Sequence, residues 1–167
     1  MRRFSSMLGL VVTLLASGGA LAACDDPPGP DVFWGRCIFD TANLRGLNLS
    51  GATLHDASFA LADLRSAVLI RADGLRARFV SAMMEGAKMD DARFEAADFT
   101  TAHMKGVSLR RADLRGARFY RADLRDADLT GARLTRTDLF GADLSGARWT
   151  DGVRICASGS IGQCNFN

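Results

Sequence analysis

Large apolar residues recur at every fifth position from Phe39 to Trp149 without an insertion, and Gly74 is the one small residue among these 23 centres. Two places before the centre the residue is alanine in 19 of the 23 pentads; Cys37, Leu47, Val107 and Thr137 are the exceptions. A period of five matches neither the 3.6 of an α-helix nor the 2 of a long strand. It fits a short extended segment, whose centre and the residue two before it face the same side, followed by a corner that restores the phase. Such segments bury a continuous core only by stacking into a coil that closes on itself.

The centres also give the number of sides. Phe39, Phe59, Phe79, Phe99 and Phe119 lie 20 residues apart, and Leu139 continues the series. Four pentads per coil would set these rings above one another as an internal ladder, whereas a three-sided coil would scatter them. Alanine suits the positions where the chain passes close to the axis, and the larger centres fill the lumen, so the core is expected to be solid. At ~4.8 Å per coil, roughly five and a half coils make a rod about 27 Å long, with unpaired backbone edges only at its two ends. Each terminus of the register carries a tryptophan, Trp34 and Trp149, expected to plug the mouths of the core. At Gly74 we expect Phe94, on the same side of the next coil, to lean into the vacant space; the alternative is a bulge with Leu75 turned inward.

Composition adds the compartment. The chain has 167 residues, 48% hydrophobic and 24% charged, as suits one compact domain. Its first 23 residues stand apart: Arg2 and Arg3, an apolar run from Met7 to Ala16, then small residues to Ala23, the three parts of a secretory signal. That run is too short for a membrane span. The expected organisation is therefore a signal over 1–23, a leader and cap over 24–33, the repeat over 34–151 and a C-terminal cap over 152–167. Two cleavage readings stay open. Leu21-Ala22-Ala23-Cys24 resembles a bacterial lipobox that would leave Cys24 lipidated and Cys37, Cys156 and Cys164 as an odd set; resemblance to enteric lipoproteins makes Asp25 an inner-membrane retention signal. Cleavage after Ala22 would instead leave two terminal groups, Cys24 with Cys37 and Cys156 with Cys164, as disulfide candidates in an oxidising compartment. The loop from Cys156 to Cys164 would contribute roughly 2–3 kcal/mol if bridged.

The motif Ala-(Asp/Asn)-Leu-x-x, present as Ala42-Asn43-Leu44, Ala62-Asp63-Leu64, Ala112-Asp113-Leu114, Ala122-Asp123-Leu124 and Ala142-Asp143-Leu144, resembles the pentapeptide-repeat family. The resemblance covers residues 32 to about 151. It implies an all-β fold, a right-handed quadrilateral β-helix of five to six coils. Some cytosolic members mimic DNA in shape and negative charge and bind DNA gyrase. Removing Arg2 and Arg3 with the signal leaves 21 − 2 = 19 basic residues against 19 acidic, a net charge of zero. A neutral, exported rod is poorly suited to that role, which we keep as the alternative.

The outward positions are the residue before each centre and the two after it. On the phenylalanine side the position after the centre reads Asp40, Ala60, Val80, Thr100, Tyr120, Phe140, so Val80, Tyr120 and Phe140 form the candidate interaction face. It would take an unknown protein partner or a second copy of the rod; a cross-strand pair covering the cap is the competing account. The next side carries Arg45, Arg65, Glu85, Lys105 and Arg125 beside Asp63, Asp123 and Asp143, predicting ion-pair ladders between coils. No long one-sign stripe or basic-aromatic alternation points to nucleic acid. His55 and His103 fall on different sides, no CxxC or HExxH spacing occurs, and carboxylate pairs such as Asp90-Asp91 lie on a convex surface. The sequence therefore predicts no catalytic residue, no cofactor and no metal, with membrane attachment only through a lipid on Cys24.

Overall fold

The computed structural model describes residues 24–166, so the expected signal over 1–23 lies outside the described residues. Twenty parallel β-bridges run from Phe33 to Arg148, and every one joins residues 20 apart. Each coil therefore takes four pentads, one per side. Side 1 has centres Trp34, Leu54, Gly74, Phe94, Leu114 and Leu134; side 2 runs from Phe39 to Leu139, side 3 from Leu44 to Leu144 and side 4 from Leu49 to Trp149. Each pentad contributes a single bridge residue, the one before its centre, and none of the described segments is long enough to count as a strand.

Hydrogen bonding shows why the unit has five residues. The bridge residue donates to the coil below, as Ser58 N–H does to Cys37 O at 2.8 Å. The centre donates to the coil above, as Phe59 N–H does to Arg78 O at 2.7 Å, and so does the second residue after it, Leu61 N–H to Val80 O at 3.0 Å. The alanine closes a four-residue turn, with Ala62 N–H on Phe59 O at 3.1 Å. One N–H of the five remains, on the residue after the centre, and the side chain of the bridge residue takes it wherever Asp or Asn stands there. Thus Asp63 Oδ1 accepts from Arg65 N at 3.1 Å and Asp98 Oδ1 from Thr100 N at 3.0 Å. The acidic residue of the repeat motif is first of all a cap for its own corner.

The second residue after each centre, from Asp31 to Gly146, has φ between 53° and 75°, and sixteen of these 24 residues are not glycine. The positive φ at the third residue of a hydrogen-bonded turn is what a type II turn requires. An L-residue there costs about 1 kcal/mol, so the stack imposes the corner on residues such as Leu61 and Arg71 that would not choose it alone. The alanines end the corners and point inward, fully buried except near the two ends, at Ala42 and Ala132.

Inside, the rings of Phe59, Phe79, Phe99 and Phe119 stack with centroids 5.0, 5.0 and 4.8 Å apart, and Phe39 begins the ladder 5.4 Å below Phe59. Each such pair adds about 0.5–1.5 kcal/mol beyond its buried area. Phe94 fills the space over Gly74 as expected: its ring is fully buried, and Leu75 stays outside the core. Trp34 plugs the N-terminal mouth, 1% exposed and tilted onto Phe39 at 4.2 Å, with its Nε1 donating to Asp26 O at 3.2 Å. Trp149 is only partly buried, and over sides 3 and 4 the buried Cys156 and Ser160 cover the far end instead.

Candidate interaction surface

Cys24 is bonded to Cys37 with Cα atoms 5.5 Å apart, pinning the leader to the first coil, and Cys156 is bonded to Cys164. In this state the Cys24 sulfur is engaged and offers no thioether to a lipid. The segment after Trp149 folds back over the end in antiparallel fashion, Ile155 pairing with Arg148 on side 4 and Ile161 with Asp143 on side 3.

On side 2 the structure brings two of the three expected face residues together. Tyr120 and Phe140 stack with centroids 5.9 Å apart and planes within 9°, Phe140 is 69% exposed, and the Arg121 guanidinium lies 5.1 Å from the centre of the Tyr120 ring. Val80 is not part of that contact. Thr100 stands between, and two coil steps put Val80 about 9.6 Å from Tyr120 along the axis. The apolar strip is thus an aromatic pair near the C-terminal end, with Val80 isolated below it.

The ion pairs differ from the sequence expectation. On side 3, Arg65 and Arg125 turn back onto Asp63 and Asp123 two residues earlier, each at 2.6 Å, and among the described residues two longer contacts span coils, Lys105 with Asp126 at 3.7 Å and Arg125 with Asp143 at 3.9 Å. The between-coil ladder runs along side 1 instead, from His55 through Asp73, Arg93, Glu95, Arg115 and Asp113 to Arg133, with successive contacts of 3.0, 3.8, 3.4, 3.2, 2.7 and 3.4 Å. The reason is the order of signs. Side 1 alternates Asp73, Arg93, Asp113, Arg133 at one position, while the same position on side 3 reads Asp63, Met83, His103, Asp123, Asp143. The Arg65 guanidinium bonded to Asp63 holds its carboxyl down to about 2, and Arg115 and Arg125 likewise hold Asp113 and Asp123 below the usual carboxylate range.

An open depression of about 500 Å³ lies between side 3 and the cap, where Lys105 and Arg125 face Asp126 beside Ile155 and Ser158. Its groups do not converge on a point that a reacting atom could occupy. Among the described residues no three His, Cys, Asp or Glu side chains are grouped to hold a metal ion.

The comparisons bear on the repeat itself. Eight copies of the Pentapeptide repeats family model match within residues 32–148, in overlapping segments from 32–60 to 117–148. The chain belongs to the pentapeptide-repeat family. Among solved structures, this pentapeptide-repeat protein is similar to Rfr23 from the cyanobacterium Cyanothece 51142, at 23% identity over 70% of this chain and 90% of that one, with a TM-score of 0.38. It is similar to a pentapeptide repeat protein of the Arabidopsis thaliana thylakoid lumen, at 19% identity over 83% of each chain, TM-score 0.40. It also resembles QnrB1, a plasmid-mediated fluoroquinolone resistance protein, at 17% identity over 71% of this chain and 72% of that one, TM-score 0.39. Among curated proteins, none matches the chain. The local features of this pentapeptide-repeat protein are its two terminal disulfides and the Tyr120–Phe140 pair.

Sequence reasoning missed two working parts of this surface. The capping role of Asp and Asn before the centre had a legible signal, their recurrence one residue ahead of leucine; the half-covered C-terminal end had none.

Proposed function

We propose that this protein is an exported, non-enzymatic pentapeptide-repeat rod, right-handed and of five to six coils, that offers a rigid surface for protein–protein interaction in the cell envelope. The observation that carries the reading is the Tyr120–Phe140 stack, an exposed phenylalanine laid on a half-buried tyrosine on a flat side of the rod. Stacked rings fixed by the coils beneath them present contact area with little ordering cost on binding. Export is supported by the signal-like first 23 residues and by disulfides at both ends, which persist in oxidising compartments. The pairing of Cys24 with Cys37 favours a soluble mature form over a lipid-anchored one. The net charge of zero for residues 24–167 weighs against the alternative, a DNA mimic acting on gyrase.

Tyr120→Ser with Phe140→Ser should move the protein from a larger assembly in native envelope extract to a free rod, with an unchanged circular dichroism spectrum; unchanged elution sinks the reading. Intact mass with thiol labelling tests the compartment. A chain cut near Cys24 with four blocked thiols supports the soluble form, acyl mass with a reactive Cys37 supports the anchored one, and a mass that retains residues 1–23 overturns export.

A further inference from the structure

The C-terminal cap covers only half of the end of the rod. Sides 3 and 4 are closed by hydrogen bonds such as Leu144 N–H to Ser160 O and Trp149 N–H to Arg154 O, both 2.8 Å, and by Cys156 N–H on Ala147 O. Sides 1 and 2, adjacent and continuous in sequence over 132–141, receive no backbone hydrogen bond from it. Everywhere below, the centre and the second residue after it donate upward, as Leu114 and Gly116 do to Arg133 O and Thr135 O, both at 3.0 Å. In the last coil the equivalent N–H groups of Leu134, Arg136 and Leu139 have no acceptor among the described residues, and the carbonyls of Ala132 and Thr137 have no donor. Leu134 and Leu139, buried centres elsewhere in the register, are only partly buried here. Gly162 closes in beside Gly141, where the cap begins.

We propose that this open edge is a docking site for an extended polypeptide segment of a partner protein, which adds one more layer to sides 1 and 2. The inference rests on the protein-binding reading above and places the partner's backbone. Five backbone hydrogen bonds are on offer, from three donors and two acceptors, in the register the fold already uses. The columns beneath the edge state the side chains wanted. Asp73, Arg93, Asp113 and Arg133 alternate up side 1, so the next residue is acidic. Arg78, Asp98, Arg118 and Asp138 alternate up side 2, so the next is basic. Tyr120 and Phe140 stack two residues further on, so an aromatic residue follows. Arg133 and Asp138 are ready for such partners, with side chains 62% and 47% exposed. The segment is therefore acidic, then basic five residues later, then aromatic two beyond that.

A second copy of this chain does not fit the edge. End to end about a two-fold axis the segments run antiparallel, so Arg133 meets Asp138 of the second copy only where cap faces cap over sides 3 and 4, which holds the two bare edges apart. Head to tail, Ile38 and Asp40 would sit over Asp138 and Phe140, at an end that the Cys24–Cys37 leader already occupies.

The chain contains its own probe, because residues 112–120 lie directly beneath this edge in the required register. The experiment measures fluorescence anisotropy of labelled Ala-Asp-Leu-Arg-Gly-Ala-Arg-Phe-Tyr titrated with the natively produced, disulfide-bonded protein. We expect saturable 1:1 binding, with a peptide in which Asp and the second Arg are exchanged bound about tenfold more weakly. Arg133→Asp with Asp138→Arg should reverse that order. N-methylation of the peptide's second arginine, which removes the donor to Thr137 O and requires no protein variant, should abolish binding. Equal affinity for the two peptides, full binding of the N-methyl peptide, absence of binding, or dimerisation of the free chain through this end would each overturn the proposal. If the peptide fails while Tyr120→Ser with Phe140→Ser still releases the native partner, the edge inference falls alone and the side-face reading stands.

Discussion

Replacing Gly74 by alanine would place a Cβ 2.3 Å from Phe94 Cε1 and 2.5 Å from its Cδ1, where carbon atoms need about 3.5–4.0 Å. Gly74 does not occupy the left-handed region, so the backbone accepts the methyl and the conflict is one of packing alone. Phe94 has little room to retreat, being fully buried and edge-on to Phe79 at 5.6 Å and Phe99 at 5.7 Å. Overpacking costs about 1–3 kcal/mol, and the stiffer unfolded chain returns about 0.4–1 kcal/mol, which leaves about 1–2 kcal/mol of net destabilisation. Phe94→Leu alone opens a void and loses both ring contacts, for a similar loss of about 1–2 kcal/mol. Together the changes should compensate, the new methyl entering the space the ring vacates, with a favourable coupling of about 1 kcal/mol or more. Urea midpoints at constant m value measure each corner of the cycle. Additive losses, or an alanine variant as stable as the parent, would show that Phe94 does not depend on the absent side chain.

Stability should fall on acidification between pH ~4 and ~2. Asp63 is held at about 2 in the fold by Arg65, below its unfolded value near 3.9, so its contribution is complete above pH ~4 and is lost as pH drops through the folded value. The urea midpoint as a function of pH reads this, and Arg65→Gln with Arg125→Gln should flatten the profile. Asp98→Ala leaves the Thr100 N–H without its acceptor at 3.0 Å and should lower stability by about 1 kcal/mol in the same assay. Asp98→Asn keeps the oxygen and should recover most of the loss; an equal loss would assign Asp98 to charge rather than to capping.

The inward half of the structure was legible because inward positions obey sterics that a single sequence displays. Alanine and a large apolar centre repeat, phenylalanine returns every 20 residues, and Gly74 with Phe94 reads as a size swap between adjacent layers. The outward half was less legible, since its residues answer to neighbours that only the folded coil supplies. An aspartate before a leucine can pair with a cation in the next coil or bond its own corner, and the choice depends on a backbone N–H that exists unpaired only once the corner has positive φ. Arg65 pairs with Asp63 two residues back rather than with Glu85, which stands above it in the next coil. Cys156 and Cys164 announced a bridged loop, but nothing in their spacing could say that it would cover sides 3 and 4 and leave sides 1 and 2 bare.

That asymmetry connects stability to recognition. Sixteen corners hold non-glycine residues in the left-handed region, a conformation unfavourable for each pentad in isolation and held only by the hydrogen bonds to the coils above and below. Arg136 is the corner that lacks the upper set on side 1, since its N–H meets no acceptor. Thr137, whose Oγ1 donates to Leu114 O at 2.8 Å, helps to anchor the same stretch from beneath. Opening should therefore begin at the ends of the repeat, with 132–141 the uncovered stretch at the C-terminal one. A segment bound along the edge would supply the missing layer, so the free energy of binding appears as protection of the end coil. Amide exchange at Leu134 and Leu139 should slow with added peptide while exchange at Leu144, already covered by the cap, stays as it was.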